Sequence, residues 1–286
     1  MRHKTNLLAF LMVITVCIVY GQDNNDLFSR LQGISNNGVD FYNVDGIEIS
    51  SHKIDTDFNP KNISKKFRQV SIKEKELTTS DSLLGFKNYY VFKSTEEPEG
   101  LFNNISYYFV ESPDHKVIGF TFAAINKTDK ELERNFINLV RNNEIPEYIF
   151  SSLEMDSINF AGRKIFLGNS CRWMGCNNVQ CPYYGQMNWS VHKDLEDASQ
   201  TVNNHFISVK SRKGGKVISD TTVAIIFEGT ETTARKIVYD FTGITSALVG
   251  MRVGKTLTVY LVSAPVRQHY VSCVMSFWNN DQINPR

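Results

Sequence analysis

Short β-rich runs joined by tight turns dominate this sequence and restrict its fold more than any other feature. Ile105 to Glu111 and Val117 to Ile125 are rich in aromatic and β-branched residues, and they flank the turn sequence Ser112-Pro113-Asp114-His115. The two runs therefore predict an antiparallel pair of strands. Tight connections at Gly229-Thr230-Glu231 and at Ala264-Pro265-Val266-Arg267 favour an antiparallel meander near the end of the chain.

Other strands are predicted from the same residue types. An Asp45-Gly46 turn divides two runs in a manner typical of a β-hairpin. The further predicted strands are Val39 to Val44, Ile47 to Ile49, Lys87 to Lys93, Ile158 to Phe160, Lys164 to Leu167, Gln186 to His192, Val217 to Glu228, Arg235 to Phe241, Thr256 to Ser263 and Tyr270 to Trp278.

Helical periodicity is confined to three segments. Residues 23 to 34 have apolar side chains at helical spacing, a second segment begins with a capping box of Thr128 and Glu131, and a third covers Asp194 to Asn204. Strands without repeating βαβ alternation predict an α+β fold of mostly antiparallel sheets with two or three amphipathic helices.

Each half of the chain has strands around one amphipathic helix. We therefore expect an N-terminal α+β region at 22–150 and a C-terminal α+β region at 151–286. A single domain over 22–286 remains an alternative, because length is a weak guide to domain number.

The first 21 residues have the features of a secretory signal peptide. Arg2 and Lys4 precede the apolar run Leu7 to Tyr20, and Gly21 stands where a signal peptidase cleaves. The run is shorter than the roughly 20 residues that a membrane-spanning helix needs. We therefore predict an exported protein, periplasmic or extracellular, with no membrane span after cleavage. Its Asn, Lys and Ile content is typical of exported proteins of Gram-negative bacteria.

The charge balance argues against nucleic-acid binding. The chain has 31 Lys plus Arg and 30 Asp plus Glu, with a net charge of +1, and the predicted cleavage changes this to about −1. A nucleic-acid binder needs clustered positive charge to neutralise phosphates. We therefore predict no nucleic-acid partner. The predicted export and the cysteine loop described below point instead to an envelope or extracellular protein or glycan.

Four cysteines remain after the predicted cleavage: Cys171, Cys176, Cys181 and Cys273. An even number in an oxidising compartment suggests two disulfides with three possible connectivities, each of which bridges Cys273 to the loop. The alternative is that Cys273 is a small core residue and one loop cysteine stays free. A zinc site of the three loop cysteines with His192 is disfavoured, because their C-x4-C-x4-C spacing is loose for zinc.

The cysteine loop also carries aromatic and polar residues suited to recognition. Flat rings on a stiff loop can stack on a ligand at low entropic cost, although such rings more often serve as packing. The candidate binding residues are Arg172, Trp173, Tyr183, Tyr184, Asn188 and His192.

No established catalytic motif occurs in the sequence. Ser190 and His192 share a strand face, and Asp194 follows them, which provides only a weak basis for catalysis. We expect no cofactor and no metal. The sequence thus favours an exported, non-enzymatic binding protein that presents a disulfide-stapled aromatic loop. The alternative is a secreted hydrolase of unrecognised type that uses His192 and neighbouring polar residues.

Overall fold

The computed structural model describes residues 24–97, 100–154, 156–167, 171–181, 185–242 and 256–278. The predicted signal peptide and the candidate binding residues Tyr183 and Tyr184 lie outside these ranges. Within them the chain forms a mixed fold of mostly antiparallel sheets with four α-helices, one more than the highest number predicted.

The helices are short and most lie between strands. Helix α1 covers 24–30, α2 Pro60–Lys66, α3 Lys130–Arg141 and α4 Leu195–Lys210. Helix α2 is not among the predicted helices, although its N-terminus carries a local signal. The side chain of Asn59 accepts a hydrogen bond from Asn62 N at 2.9 Å, and Pro60 occupies the first turn.

Sixteen strands are described, and they form two seven-stranded sheets and one small hairpin. The first sheet has the order β4-β5-β6-β3-β2-β1-β7, the second has the order β10-β11-β12-β16-β15-β14-β13, and β8 pairs with β9. In chain order the strands are β1 Gln32–Asn36, β2 Val39–Val44, β3 Ile47–Asp57, β4 Asn88–Glu97, β5 Leu101–Glu111, β6 Lys116–Ile125, β7 Phe150–Ser151, β8 Ser157–Phe160, β9 Arg163–Phe166, β10 Arg172–Gly175, β11 Asn178–Cys181, β12 Gly185–His192, β13 Gly215–Phe227, β14 Thr230–Phe241, β15 Thr256–Val266 and β16 His269–Trp278.

The predicted opening helix over 23–34 is wrong after residue 30, because the structure has strand β1 from Gln32 onward. This strand pairs antiparallel with β2 through a turn at Asn37 and Gly38, both with positive φ. Asn-Gly between two strands is a strong hairpin signal, because both central residues of such a turn need positive φ. The spacing of Leu27 and Ile34 is typical of one face of a helix, but only Leu27 lies in a helix and Ile34 lies in β1.

The predicted antiparallel pairs are otherwise present. Strands β5 and β6 pair across the Ser112–His115 turn, and β2 and β3 pair across Asp45-Gly46. The meander β13-β14-β15-β16 is also antiparallel throughout. Helix α3 is capped by Asp129, whose side chain accepts from Leu132 N, and not by Thr128 as the predicted capping box requires.

Each sheet is covered on both faces by apolar side chains. Helix α3 packs on one face of the first sheet through Phe136 and Ile137, and the segment around Phe67 packs on the other. In the second sheet, α4 covers one face, and the β8–β9 hairpin covers the other through Ile158 and Phe160. The two sheets therefore have separate apolar cores, while the division into two domains near residue 150 stays a prediction.

Candidate functional site

The cysteine loop is a disulfide-closed hairpin at one edge of the second sheet. Cys171 and Cys181 are joined at the open ends of strands β10 and β11, with their Cα atoms 4.0 Å apart. The predicted second disulfide through Cys273 is not formed, and Cys176 and Cys273 are free and buried. Cys273 lies in the middle of the sheet, directly opposite Trp189 on β12. Its thiol therefore packs as a core side chain, as the alternative interpretation of the sequence held.

Burial also makes both free thiols unreactive. It raises the pKa of Cys176 to about 12 and raises that of Cys273 further. The bonded pair Cys171 and Cys181 removes two of the ligands that the zinc alternative requires.

The structure separates the candidate binding residues into three places. Arg172 and Trp173 lie on β10, but the Trp173 indole packs near Trp189 with ring centroids 6.3 Å apart and donates to Ser152 O at 3.1 Å. Trp173 thus covers the core and Arg172 is exposed. Asn188 lines a cleft of about 280 Å³ beneath α4. His192 is buried at the far end of β12.

A groove runs along the free edge of the stapled hairpin. Among the described residues no strand pairs with β10 on its outer side. Three apolar side chains line the groove and remain partly exposed: Phe41 at 39%, Leu153 at 47% and Met174 at 57%. The groove measures about 470 Å³, and Arg172 also lines it. We call this surface the hairpin groove.

A second cluster of polar residues joins the two sheets. The Asp45-Gly46 turn of the first sheet contacts the end of β12, where Asp45 N donates to Val191 O at 3.0 Å and Asp45 Oδ1 accepts from Lys193 N at 2.9 Å. Arg30 Nε donates to the same oxygen at 3.1 Å. Gly46 lies close to the His192 ring: a Cβ atom added to Gly46 would be 3.3 Å from His192 Cε1. The turn is therefore fixed against the second sheet.

His192 lies between a carboxylate and a hydroxyl in the order of a Ser-His-Asp triad. Its Nδ1 is 3.1 Å from Asp197 Oδ2, and its Nε2 is 2.8 Å from Ser272 Oγ. The sequence spacing groups His192 with Ser190 and Asp194 instead. Asp194 is the N-cap of α4, and Ser190 Oγ accepts from Asn177 Nδ2 at 3.3 Å. Nothing in the local spacing indicates Ser272, which is 80 residues away from His192.

Lys127 lies beside a group of side chains that could bind a metal ion. Ligand atoms of Asp45, His192 and Asp197 lie within 4.8 Å of one another, as in a metal site. Lys127 Nζ, however, is 2.6 Å from both Asp197 oxygens and 2.8 Å from Asp45 O. Its ammonium supplies the positive charge, so the arrangement fits an ion pair rather than a metal centre.

The electrostatics of Asp197 reflect these contacts. Burial alone would raise the pKa of its carboxyl group, but the hydrogen bonds from His192 and Lys127 outweigh burial and lower it. Asp197 is therefore ionised at neutral pH. We call Asp45, Lys127, His192, Asp197 and Ser272 the junction cluster.

Access to the junction cluster is restricted. A cleft of about 600 Å³ between the first sheet and α4 is lined by Lys127 and Asp197, but neither this cleft nor the one beneath α4 is lined by His192 or Ser272. The side chain of His192 is fully buried, and Ser272 is 3% exposed. A serine nucleophile needs contact with its substrate, so this geometry suits a structural network better than catalysis.

Comparisons with known proteins give little further information. No family model matches this chain. No curated protein matches it either. A chain of the solved Tle4-Tli4 complex aligns over 90% of this chain and 89% of its own length, with 7% sequence identity and a TM-score of 0.23. A TM-score this low assigns no common fold. No helix of the described ranges is long and apolar enough to cross a membrane.

Proposed function

We propose that this chain is an exported binding protein that holds an extended segment of a protein partner in the hairpin groove. The observation that carries the proposal is the exposure of Phe41, Leu153 and Met174 around the free edge of β10. Exposed apolar side chains that converge on an unpaired strand edge are typical of sites where a peptide adds a strand to a sheet.

The chemistry of the groove indicates the partner segment. The backbone of β10 offers hydrogen bonds to an added strand, and the apolar lining favours aliphatic or aromatic side chains at alternate positions. Arg172 is exposed at the same surface and favours an acidic side chain. The Cys171–Cys181 disulfide supports the proposal, because it stiffens the hairpin and reduces the entropy lost on binding.

Site-directed photo-crosslinking in the exporting cells tests this proposal. A photoreactive phenylalanine analogue at Phe41 or at Met174 should give the same protein adduct, whereas the analogue at Leu83, which is 73% exposed away from the groove, should not. Met174→Asp should abolish the adduct from Phe41, and Leu83→Asp should leave it intact. Equal adducts at all three positions, or none at the groove positions, would overturn the proposal.

Export needs a separate test because it rests on the sequence. The mature protein should begin at Gln22, which N-terminal sequencing of the envelope or extracellular fraction measures. A chain that is found in the cytoplasm with Met1 to Gly21 still attached would contradict export. Disulfides persist in oxidising compartments, which supports the same location.

A secreted hydrolase is the second candidate, and the Asp197–His192–Ser272 geometry favours it. A serine activated in this way reacts with fluorophosphonate probes, and Ser272→Ala would abolish the label. We expect no labelling of the folded wild type, because Ser272 is buried. Labelling at Ser272 would replace the binding proposal with the hydrolase.

A further inference from the structure

The cleft of about 280 Å³ beneath α4 has a polar part and an apolar part, and we call it the α4 cleft. Gln186 on β12 pairs with Ser276 on β16, and Ser276 pairs with Val259 on β15, so their side chains form one row across the sheet. Trp278 and Leu257 form the adjacent row on the same face. The floor of the cleft is therefore polar at β12 and apolar at β15.

Helix α4 forms the opposite wall of the cleft. His205, Ser208 and Val209 are spaced at i, i+3 and i+4, so they share the helix face that lines the cleft. Burial lowers the pKa of the His205 imidazole, so the ring is neutral at neutral pH and offers one donor nitrogen and one acceptor nitrogen. Arg212, just beyond the end of the helix, also lines the cleft. This wall thus offers neutral polar groups and one guanidinium.

Arg212 gives the α4 cleft a positive charge that no neighbouring described carboxylate balances. No Asp or Glu is among the lining residues that the structure describes, and the guanidinium makes neither an ion pair nor a hydrogen bond with a described residue. Arg212 also lines the cleft between the first sheet and α4, but three acidic side chains line that cleft together with three basic ones. The α4 cleft therefore favours a ligand with one negative charge, whereas an amino acid would bring an ammonium that no described carboxylate there neutralises.

From these groups we infer that the α4 cleft binds the carboxylate form of a sugar acid the size of one monosaccharide. The Arg212 guanidinium binds the carboxylate through two parallel hydrogen bonds. Trp278 and the aliphatic floor contact the C–H bonds of the sugar ring. The hydroxyl groups of the ligand pair with four side chains that make no hydrogen bond to another described residue: Asn188, His205, Ser208 and Ser276.

The size and polarity of the cleft favour this ligand over simpler ones. Its volume lies just below the roughly 300–1,000 Å³ of sites for drug-sized ligands, which suits a single ring. An apolar acid leaves the amide and the hydroxyl groups of the cleft unpaired, and a neutral sugar leaves the guanidinium without a carboxylate, so both bind more weakly. The α4 cleft and the hairpin groove share no described lining residue, so the inference does not depend on the proposed function.

Calorimetric titration of the mature protein at neutral pH tests the class of ligand. At least one of the two probes D-glucuronate and D-galacturonate should bind. The matching neutral sugars D-glucose and D-galactose lack the carboxylate, and cyclohexanecarboxylate lacks the hydroxyl groups, so each of these controls should bind at least about tenfold more weakly. Equal binding of a sugar acid and any of its controls, or no binding of either sugar acid at millimolar concentration, would overturn the inference.

Variants of the two clefts locate the site. Arg212→Met should weaken binding of the sugar acid by about tenfold to a hundredfold, and Asn188→Leu by about tenfold. Lys213→Met and Gln200→Leu are the matched controls and should bind as the wild type does, because both residues line only the cleft between the first sheet and α4. Arg212 is exposed, so its variant should keep the wild-type melting temperature, which separates lost binding from lost folding. Unchanged binding in Arg212→Met, or an equal loss in the controls, contradicts a site in the α4 cleft.

Discussion

Removal of the Lys127 ammonium should destabilise the junction between the two sheets. Lys127→Met keeps the aliphatic stem but removes three hydrogen bonds, two to Asp197 and one to Asp45 O. Breaking a buried ion pair costs about 3–5 kcal/mol. The two side chains are 24% and 16% exposed, so solvent screening reduces this to about 2–3 kcal/mol of unfolding free energy. The melting temperature should fall by about 5–10 °C.

The pH dependence of this effect follows from the lowered pKa of Asp197. A carboxyl group whose pKa is lower in the folded state stabilises the protein above its unfolded pKa of about 3.9, and that contribution is lost as pH falls through the folded pKa. In Lys127→Met the pKa of Asp197 rises, because one of the two groups that lower it is gone. The deficit should therefore be largest near neutral pH and shrink below about pH 4.

Urea unfolding at neutral and acidic pH measures both quantities. Lys193→Met is the matched control, because the Lys193 side chain is exposed while its backbone N makes the bond to Asp45. The control should lie within about 0.5 kcal/mol of the wild type. A Lys127→Met variant as stable as the control, or a deficit that does not change with pH, would refute the reasoning.

Three further predictions concern the folded state. Replacing both Cys171 and Cys181 with Ser should lower the free energy of unfolding by about 2–3 kcal/mol relative to the wild type without reductant, because the disulfide closes a loop with a sequence separation of 10. Alkylation of the unfolded wild type without reductant should modify only Cys176 and Cys273 among the cysteines after residue 24. Glu133→Ala should lower the free energy of unfolding by about 2–4 kcal/mol, because Tyr108 Oη and Lys130 Nζ lose a buried carboxylate that accepts hydrogen bonds from them at 2.8 and 2.7 Å. The control Glu131→Ala, on the exposed face of α3, should change this free energy little. Gly119→Ala should lower the free energy of unfolding, measured by thermal unfolding, by about 1–3 kcal/mol, since the added Cβ would lie 2.3 Å from the Phe67 ring. An unchanged stability would show that the ring moves freely.

The candidate site was predictable only in part. Strand alternation correctly places Trp189 and Val191 on the core face and Asn188 and His192 on the other, because side chains alternate along a strand. The same alternation along β16 places Val271 and Cys273 on one face, and both are 0% exposed. Which of the four cysteines form the disulfide was not predictable, since bridging depends on which Cα atoms meet in space.

Long-range contacts decided what the polar residues do. Lys127 and Asp197 are 70 residues apart, and His192 and Ser272 are 80 apart, so no local pattern connects them. The hairpin groove likewise combines Phe41 of β2 with Met174 of β10 from different sheets. Sequence spacing suggests Asp194 as the acid beside His192, but the Asp194 side chain caps α4, and Asp197 in the first turn of that helix contacts the ring instead.

The sequence by itself determined the class of fold, the antiparallel meander and the hairpins, because turn chemistry and side-chain alternation act over a few residues. It also indicated the stapled loop through the spacing of its cysteines. Only the tertiary structure decided which cysteines pair, why His192 is buried and which surface is exposed. Those outcomes depend on which strands become neighbours, as β12 does with β16, and the packing of distant segments fixes that order.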